Sequence, residues 1–313
     1  RSKEACKKEG KAKIFSRHLA NVAEIVLKLG KCPQYWCDPD PNENKEIPRE
    51  LVPLIWGYED ITDFTSRSTA HIEQGRKIWV APGTSCWNSC TGRTWNRRGN
   101  LDNASNEKRA SGFLCTAWGD GGHRQPWPIT LFAFADAAMV AWAGAGKYSD
   151  TANGIHAFGS AELGIWLAKL GNIDIELCKG QRPYWNDNAF ANRIHNATAI
   201  WKELETNILD KRGYGDIGAW EEVAERIQTL RKELPENIPQ IVKEECLFCL
   251  DLSKWIADRA IARRQNITIE KRKELAVRMA EIISIHRTQW LRRSRYGGLE
   301  DSSARFAKHA AQW

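Results

Sequence analysis

An aromatic side chain and a carboxylate stand two residues apart at the end of a short apolar run, residues 112–118. They are Trp118 and Asp120, and glycines follow them. Residues two apart in an extended chain point to the same side, so this pair is predicted to face one pocket. The apolar face of an indole packs against the C–H face of a sugar ring, and a carboxylate binds its hydroxyls. The spacing therefore favours a carbohydrate ligand.

Two further tryptophans end predicted strands close to an acid. Trp36 precedes Asp38, and Trp56 lies a few residues before the acidic pair at 59–60. Most tryptophans in proteins simply fill the core, and we assign that role to Trp79, Trp142, Trp166, Trp201, Trp220, Trp255 and Trp290. The repeated position at a strand end favours a pocket for Trp36, Trp56 and Trp118.

Composition excludes several classes of protein. The 313 residues are 42% hydrophobic and 27% charged, as in an ordinary globular protein. A net charge of +7 without a basic helix or a known motif does not indicate a nucleic-acid partner. No apolar run is long enough to predict a membrane helix. Nine scattered cysteines, including Cys246 and Cys249 in a helical pattern, indicate buried thiols rather than metal or redox sites.

Residues 1–145 alternate helical and strand signals. Four short apolar strands, at 33–37, 52–58, 77–81 and 112–118, are separated by helical segments. This alternation predicts parallel β/α units, and four units are half of a (β/α)₈ barrel, strands five to eight. Residues 146–313 read as helices only. The prediction is an α/β chain with a barrel half at 1–145 and an α-helical C-terminal region at 146–313.

The order of these segments resembles the catalytic barrel of family 20 glycoside hydrolases, the β-N-acetylhexosaminidases. Residues 30–38 are similar to the entry into the fifth strand of that family, and Trp56 stands where the sixth strand ends. Trp118-Gly119-Asp120 matches the aromatic-x-acid pattern that ends the eighth, and residues 290–302 resemble the terminal helix and loop of bacterial members. The resemblance spans nearly the whole chain.

The resemblance implies a pocket for a terminal N-acetylhexosamine. Trp36 and Trp56 would flank the acetamido group, Trp118 would stack under the ring, and Asp120 would hold outer hydroxyls. Three further residues complete the candidate binding set: Asp38 as a hydroxyl ligand or a helix cap, His123 after its glycine turn, and Trp87. Asp60 is expected to cap a helix.

Two departures from the family bear on catalysis. Its Tyr-x-Asp pair at the end of strand seven has no match in residues 80–88, where Trp87, Asn88 or Arg93 are the candidate substitutes. Its catalytic Asp-Glu pair, at the end of strand four, is not seen, and the chain is expected to begin just after it. We therefore assign no catalytic residue, and the isolated chain is expected to be inactive.

The resemblance implies a β-N-acetylhexosaminidase-type glycosidase that removes terminal N-acetylhexosamine by a substrate-assisted, retaining mechanism, with no cofactor or metal. A non-catalytic carbohydrate-binding protein with the same pocket is the alternative, and a helical interaction protein built on residues 146–313 is a third interpretation. A half barrel has unpaired strand edges. The missing barrel half or a second copy of the chain is therefore an expected partner.

Overall fold

In a computed structural model, the chain forms two compact units. One unit is Arg1–Gly83, Gly99–Thr116 and Val140–Lys147, and the other is Thr84–Arg98, Ala117–Met139 and Tyr148–Trp313. The predicted boundary after residue 145 stays a prediction. The residues described below are 2–38, 47–119, 122, 124–178, 194–206, 214–265 and 267–310.

The first unit contains a four-stranded parallel sheet. Its strands lie in the order β1 (Gln34–Trp36), β2 (Val52–Trp56), β3 (Trp79–Ala81) and β4 (Gly112–Phe113). Beyond β4, Thr116 forms one more parallel bridge, to Gly83. The predicted α/β class and the parallel pairing of the four strands are confirmed. The strands are shorter than the predicted apolar runs: each has two to five residues in the hydrogen-bonded ladder.

Helices α1 (Ser2–Glu9), α2 (Lys11–Lys28) and α3 (Phe64–Glu73) belong to the first unit, while α4 (Thr94–Asn106) and α5 (Trp127–Ala143) are divided between the two units. Asp63 caps α3, since its side chain accepts from the Ser66 backbone N–H. The expectation that Asp60 caps this helix is wrong. The sequence predicts a helix that ends at Gly30, and Gly30 has φ +66°, the left-handed conformation that follows the end of α2.

The two faces of the sheet differ in what covers them. In β2 and β3, Ile55 and Val80 form one buried cluster with Phe64 of α3 and Ala104 of α4. Alternation along each strand and the pairing register place another set on the opposite face. That set is Trp36, Leu54, Trp56, Trp79, Ala81 and Gly112.

The described residues from Tyr148 onward form helices and their connections, as the sequence predicts for 146–313. After α5 the helices are α6 (Asp150–Phe158), α7 (Ala161–Leu170), α8 (Ile175–Cys178), α9 (Ala199–Glu205), α10 (Ile217–Glu233), α11 (Gln240–Arg264), α12 (Ile269–Arg293) and α13 (Leu299–Ala310). Their apolar faces form one large buried cluster that includes Trp220 and Trp255. Cys246 and Cys249 lie inside it, which confirms their role in the core.

Two apolar features are more exposed than the sequence suggests. Trp142, assigned to the core, is 95% exposed near the end of α5, so that assignment is wrong. Apolar spacing predicts that Ile25 of α2 and Leu29, which directly follows it, face the core, but they are 62% and 69% exposed; the buried residues of α2 are Ser16 and Ala23. No helix among the described residues has both the length and the apolar character needed to cross a membrane.

Candidate functional site

The ends of β1 and β2 bring a tryptophan and a carboxylate into contact. The Trp56 indole N–H donates a hydrogen bond of 2.9 Å to Asp38 Oδ1. Trp36 pairs with Leu54 in the ladder, so the residues that follow it lie level with Trp56 at the carboxyl edge of the sheet. Three of the predicted binding residues, Trp36, Asp38 and Trp56, therefore meet at one edge, with the two indoles on the same face.

This edge has the chemical groups that a sugar needs. Trp36 and Trp56 are half-buried, so each leaves part of its side chain open to solvent, and Asp38 is exposed. The Trp56 ring stacks on Tyr58, with ring centroids 5.3 Å apart and planes at 27°. The Asp38 carboxylate accepts from the indole at one oxygen and keeps lone pairs on the other for a hydroxyl donor.

A buried asparagine of α4 fixes the loops that follow the strands. Asn100 is fully buried, and its side-chain amide donates to the carbonyls of Gly57 and Glu59 at 2.9 and 3.0 Å. Its Oδ1 accepts from the Gly83 backbone N–H at 3.1 Å. One side chain thus links the ends of β2 and β3, and sequence patterns did not single it out.

The loop after β2 also approaches α4 closely. Asn103 donates to the Asp60 carbonyl at 2.7 Å. A Cβ added at Gly99 would lie 2.5 Å from the Asp60 Cβ, so only glycine allows this approach. Side chains of α4 therefore hold the loop after Trp56 through its backbone carbonyls. The position of the Trp56 side chain itself is determined by the sheet.

A second glycine makes room for an indole on the same face of the sheet. A Cβ at Gly112 in β4 would lie 2.2 Å from the Trp79 ring of β3. Trp79 therefore covers the β4 backbone at that point. The sequence assignment of Trp79 to packing agrees with this contact, because the ring lies against backbone rather than open solvent.

The remaining predicted residues lie elsewhere in the chain. Trp87 and Trp118 belong to the second unit. Trp87 is 1% exposed and its indole N–H donates to the side-chain carbonyl of Asn196, whereas Trp118 is half-buried. Arg93, a candidate substitute for the strand-seven pair, is fully buried. Asp120 and His123 lie outside the described residues.

No group of three or more His, Cys, Asp or Glu side chains in the described ranges could hold a metal ion. A scan against protein-family models finds no match for this chain, and no curated protein matches it.

Proposed function

We propose that this chain carries part of the sugar-binding edge of a β-N-acetylhexosaminidase of glycoside hydrolase family 20. Its four strands would be strands five to eight of a (β/α)₈ barrel, whose binding sites lie at the carboxyl ends of the strands. The observation that carries the proposal is the hydrogen bond between Trp56 and Asp38 on the sheet edge that also bears Trp36.

The chemistry of this edge supports the proposal. A half-buried indole presents an apolar face to the C–H groups of a pyranose or to the methyl of an acetamido group. Fixing Asp38 through the Trp56 N–H lowers the entropy lost when the carboxylate binds a sugar hydroxyl. In the proposed reaction, the acetamido oxygen of the substrate attacks the anomeric carbon. The two carboxylates that assist it are assigned to no residue of this chain.

Binding of free N-acetylglucosamine to the full chain, measured by calorimetry or ligand-observed NMR, tests the proposal. We expect a dissociation constant of about 1 mM, equivalent to roughly 4 kcal/mol. Trp56→Ala removes both the apolar face and the hydrogen bond to Asp38, so we expect affinity to fall by about tenfold or more. Trp142→Ala is the control, because Trp142 is an exposed tryptophan away from the strand ends.

The result that contradicts the proposal is equal binding by Trp56→Ala and Trp142→Ala, or no binding by the unaltered chain. Hydrolysis of an aryl β-N-acetylglucosaminide separates binding from catalysis. We expect no appreciable turnover from the isolated chain. A rate of roughly 1–10³ s⁻¹, typical of enzymes, would mean that its own carboxylates supply the acid and base.

A further inference from the structure

A cysteine and a histidine of the first unit are in direct contact on the face of the sheet that the helices cover. Cys37 follows β1, and its Sγ lies 3.0 Å from Nε2 of His71 in α3. His71 is buried, with 2% of its surface exposed, while Cys37 is half-buried. The imidazole is therefore shielded, and Cys37 is the less buried residue of the two.

The fold places both groups by independent means. Cys37 continues the β1–β2 ladder, since its backbone N–H donates to the Leu54 carbonyl at 3.2 Å. Its side chain packs on the cluster that contains Ile55 and Phe64. His71 lies in the last turn of α3, which ends at Glu73. The negative end of a helix dipole stabilises a protonated imidazole at that position.

Tyr35, Arg76 and Asp38 are ionisable groups of the same region, and each is neutral or has a partner of its own. Burial, reinforced by Cys37 and opposed by Arg76, raises the pKa of Tyr35 to about 12, so Tyr35 stays neutral. The Arg76 guanidinium donates hydrogen bonds to the backbone carbonyls of Pro48 and Ile47. The Asp38 carboxylate accepts from Trp56.

We propose that Cys37 and His71 form a nucleophilic thiol–imidazole pair, a modification site for small soft electrophiles and in particular for hydroperoxides. The thiol proton passes to His71 Nε2. The sulfur then attacks the terminal oxygen of the hydroperoxide, the O–O bond breaks, and the departing alkoxide (hydroxide in the case of hydrogen peroxide) takes the proton from His71 to leave as an alcohol or water. Sulfur is oxidised by two electrons to a sulfenic acid and the peroxide is reduced. This inference does not depend on the proposed sugar site.

The expected advantage in rate follows from the thiolate fraction. An ordinary thiol with a pKa of about 8.5 is roughly 3% ionised at pH 7. Proton transfer to His71 raises this fraction up to about thirtyfold, and the lower intrinsic nucleophilicity of a stabilised thiolate returns part of the gain. A net advantage of about tenfold over an exposed, unassisted cysteine is expected.

Alkylation of the native chain by iodoacetamide at pH 7, followed by peptide mass spectrometry, measures each cysteine in one sample. Cys32 is the exposed reference, and Cys115 is the reference of similar burial. We expect Cys37 to react about tenfold faster than Cys32, and His71→Gln to slow Cys37 while Cys32 and Cys115 are unchanged. Under hydrogen peroxide and dimedone, Cys37 is expected to be the labelled cysteine.

Each opposite result overturns the proposal. Slower reaction of Cys37 than of Cys32 in the unaltered chain shows that the thiol is not activated, and this comparison needs no variant to fold. Faster reaction of Cys37 in His71→Gln shows that His71 only packs against the sulfur, because lost packing exposes a thiol whereas lost activation slows it. Failure of dimedone to label Cys37 eliminates hydroperoxides as its substrate class.

Discussion

Single carboxylates in the second unit each hold several arginines. Asp136, which is fully buried, accepts from Arg97 at 2.6 Å and from Arg98 at 3.0 Å. Glu203, which is also buried, forms ion pairs with Arg259, Arg263 and Arg264. Burial, with Arg263 and Arg264 acting in the same direction, lowers the pKa of Arg259 to about 10. Each carboxylate therefore binds more than one arginine, and its loss is expected to be costly.

At Asp136 this expectation gives a stability test. Asp136→Asn keeps the size of the side chain but removes the buried counter-charge of Arg97 and leaves Arg98 with Asp150 alone. We expect it to lower the free energy of unfolding by about 3–5 kcal/mol, as when one partner of a buried ion pair is removed. Urea denaturation followed by circular dichroism measures the loss.

Glu24→Gln is the control for this test, because the ion pair of Glu24 with Lys28 is exposed. Its denaturation midpoint is expected to stay that of the unaltered chain. Equal midpoints for Asp136→Asn and Glu24→Gln would show that the buried network contributes no more than a surface pair.

His309 of α13 gives a pH-dependent term. Burial lowers its pKa to about 4, Arg124, Arg259 and Lys308 act in the same direction, and Glu205 opposes them. In the unfolded chain this histidine has an ordinary pKa of about 6.5. Between pH 6.5 and 4 it is therefore protonated in the unfolded chain and neutral in the folded chain. Stability is therefore lost as the pH falls through this window, by roughly 3 kcal/mol once both states are protonated.

Chemical denaturation from pH 7 to 4 measures this term as a difference between two proteins. His309→Gln cannot titrate, so its stability is expected to fall less steeply with acid than that of the unaltered chain. Other groups that titrate in this range are common to both proteins and cancel in the comparison. Parallel curves would show that His309 has an ordinary pKa in the folded protein.

At the scale of elements, the spacing of apolar residues predicted those helices whose apolar face packs into the core. The spacing of apolar residues predicts helices at 161–170, 218–234 and 268–293, and α7, α10 and α12 begin and end within one residue of these bounds. Helix α6 was missed although its signals are present, a Ser149 cap and a left-handed Gly159. The sequence predicts a helix from about residue 100 to 110, whereas α4 begins at Thr94, because contacts outside the helix stabilise the poor helix former Gly99.

In the candidate site, too, some residues were predicted from the sequence and others were not. Trp36, Asp38 and Trp56 were predicted from their positions after apolar runs, because the end of a parallel strand is visible in the sequence. The Asn100 contacts were not predictable, since they join segments 17 and 43 residues apart whose approach depends on the folded sheet. Tyr58 was missed because no pattern distinguishes a loop tyrosine that stacks on an indole.

The position of Asn100 gives a test at this scale. Asn100→Ala leaves two buried carbonyls and one N–H without their partner, each costing about 1–3 kcal/mol when unsatisfied. We expect a loss of about 3 kcal/mol in the free energy of unfolding. Weaker N-acetylglucosamine binding is also expected, because the loop after Trp56 is released.

Asn106→Ala in the same helix is the matched control, since Asn106 is exposed. Thermal unfolding and ligand titration of both variants make the comparison. If Asn100→Ala unfolds at the temperature of Asn106→Ala, the buried amide does not hold the strand ends together.

At the scale of the molecule, the first unit leaves backbone and apolar surface without a partner in the described residues. In the sheet, β1 pairs with β2 alone and β4 with β3 alone. Helix α2 packs on β1 through Ala23 and Tyr35. Val22 and Ile25 of this helix and Leu29, which directly follows it, are 43%, 62% and 69% exposed. An open strand edge next to an apolar helix face is a surface that soluble proteins normally cover.

We expect a second copy of the chain to cover this surface, since two identical open edges can pair their backbones with each other while the α2 faces bury their apolar side chains. Light scattering on a sizing column at micromolar concentration is expected to give the mass of a dimer. Ile25→Lys with Leu29→Lys places charge on the buried face and is expected to shift the mass toward the monomer. Ile269→Lys, at an equally exposed apolar residue of α12, is expected to leave the dimer intact. A monodisperse monomer from the unaltered chain would show that this edge is stable in water without a partner.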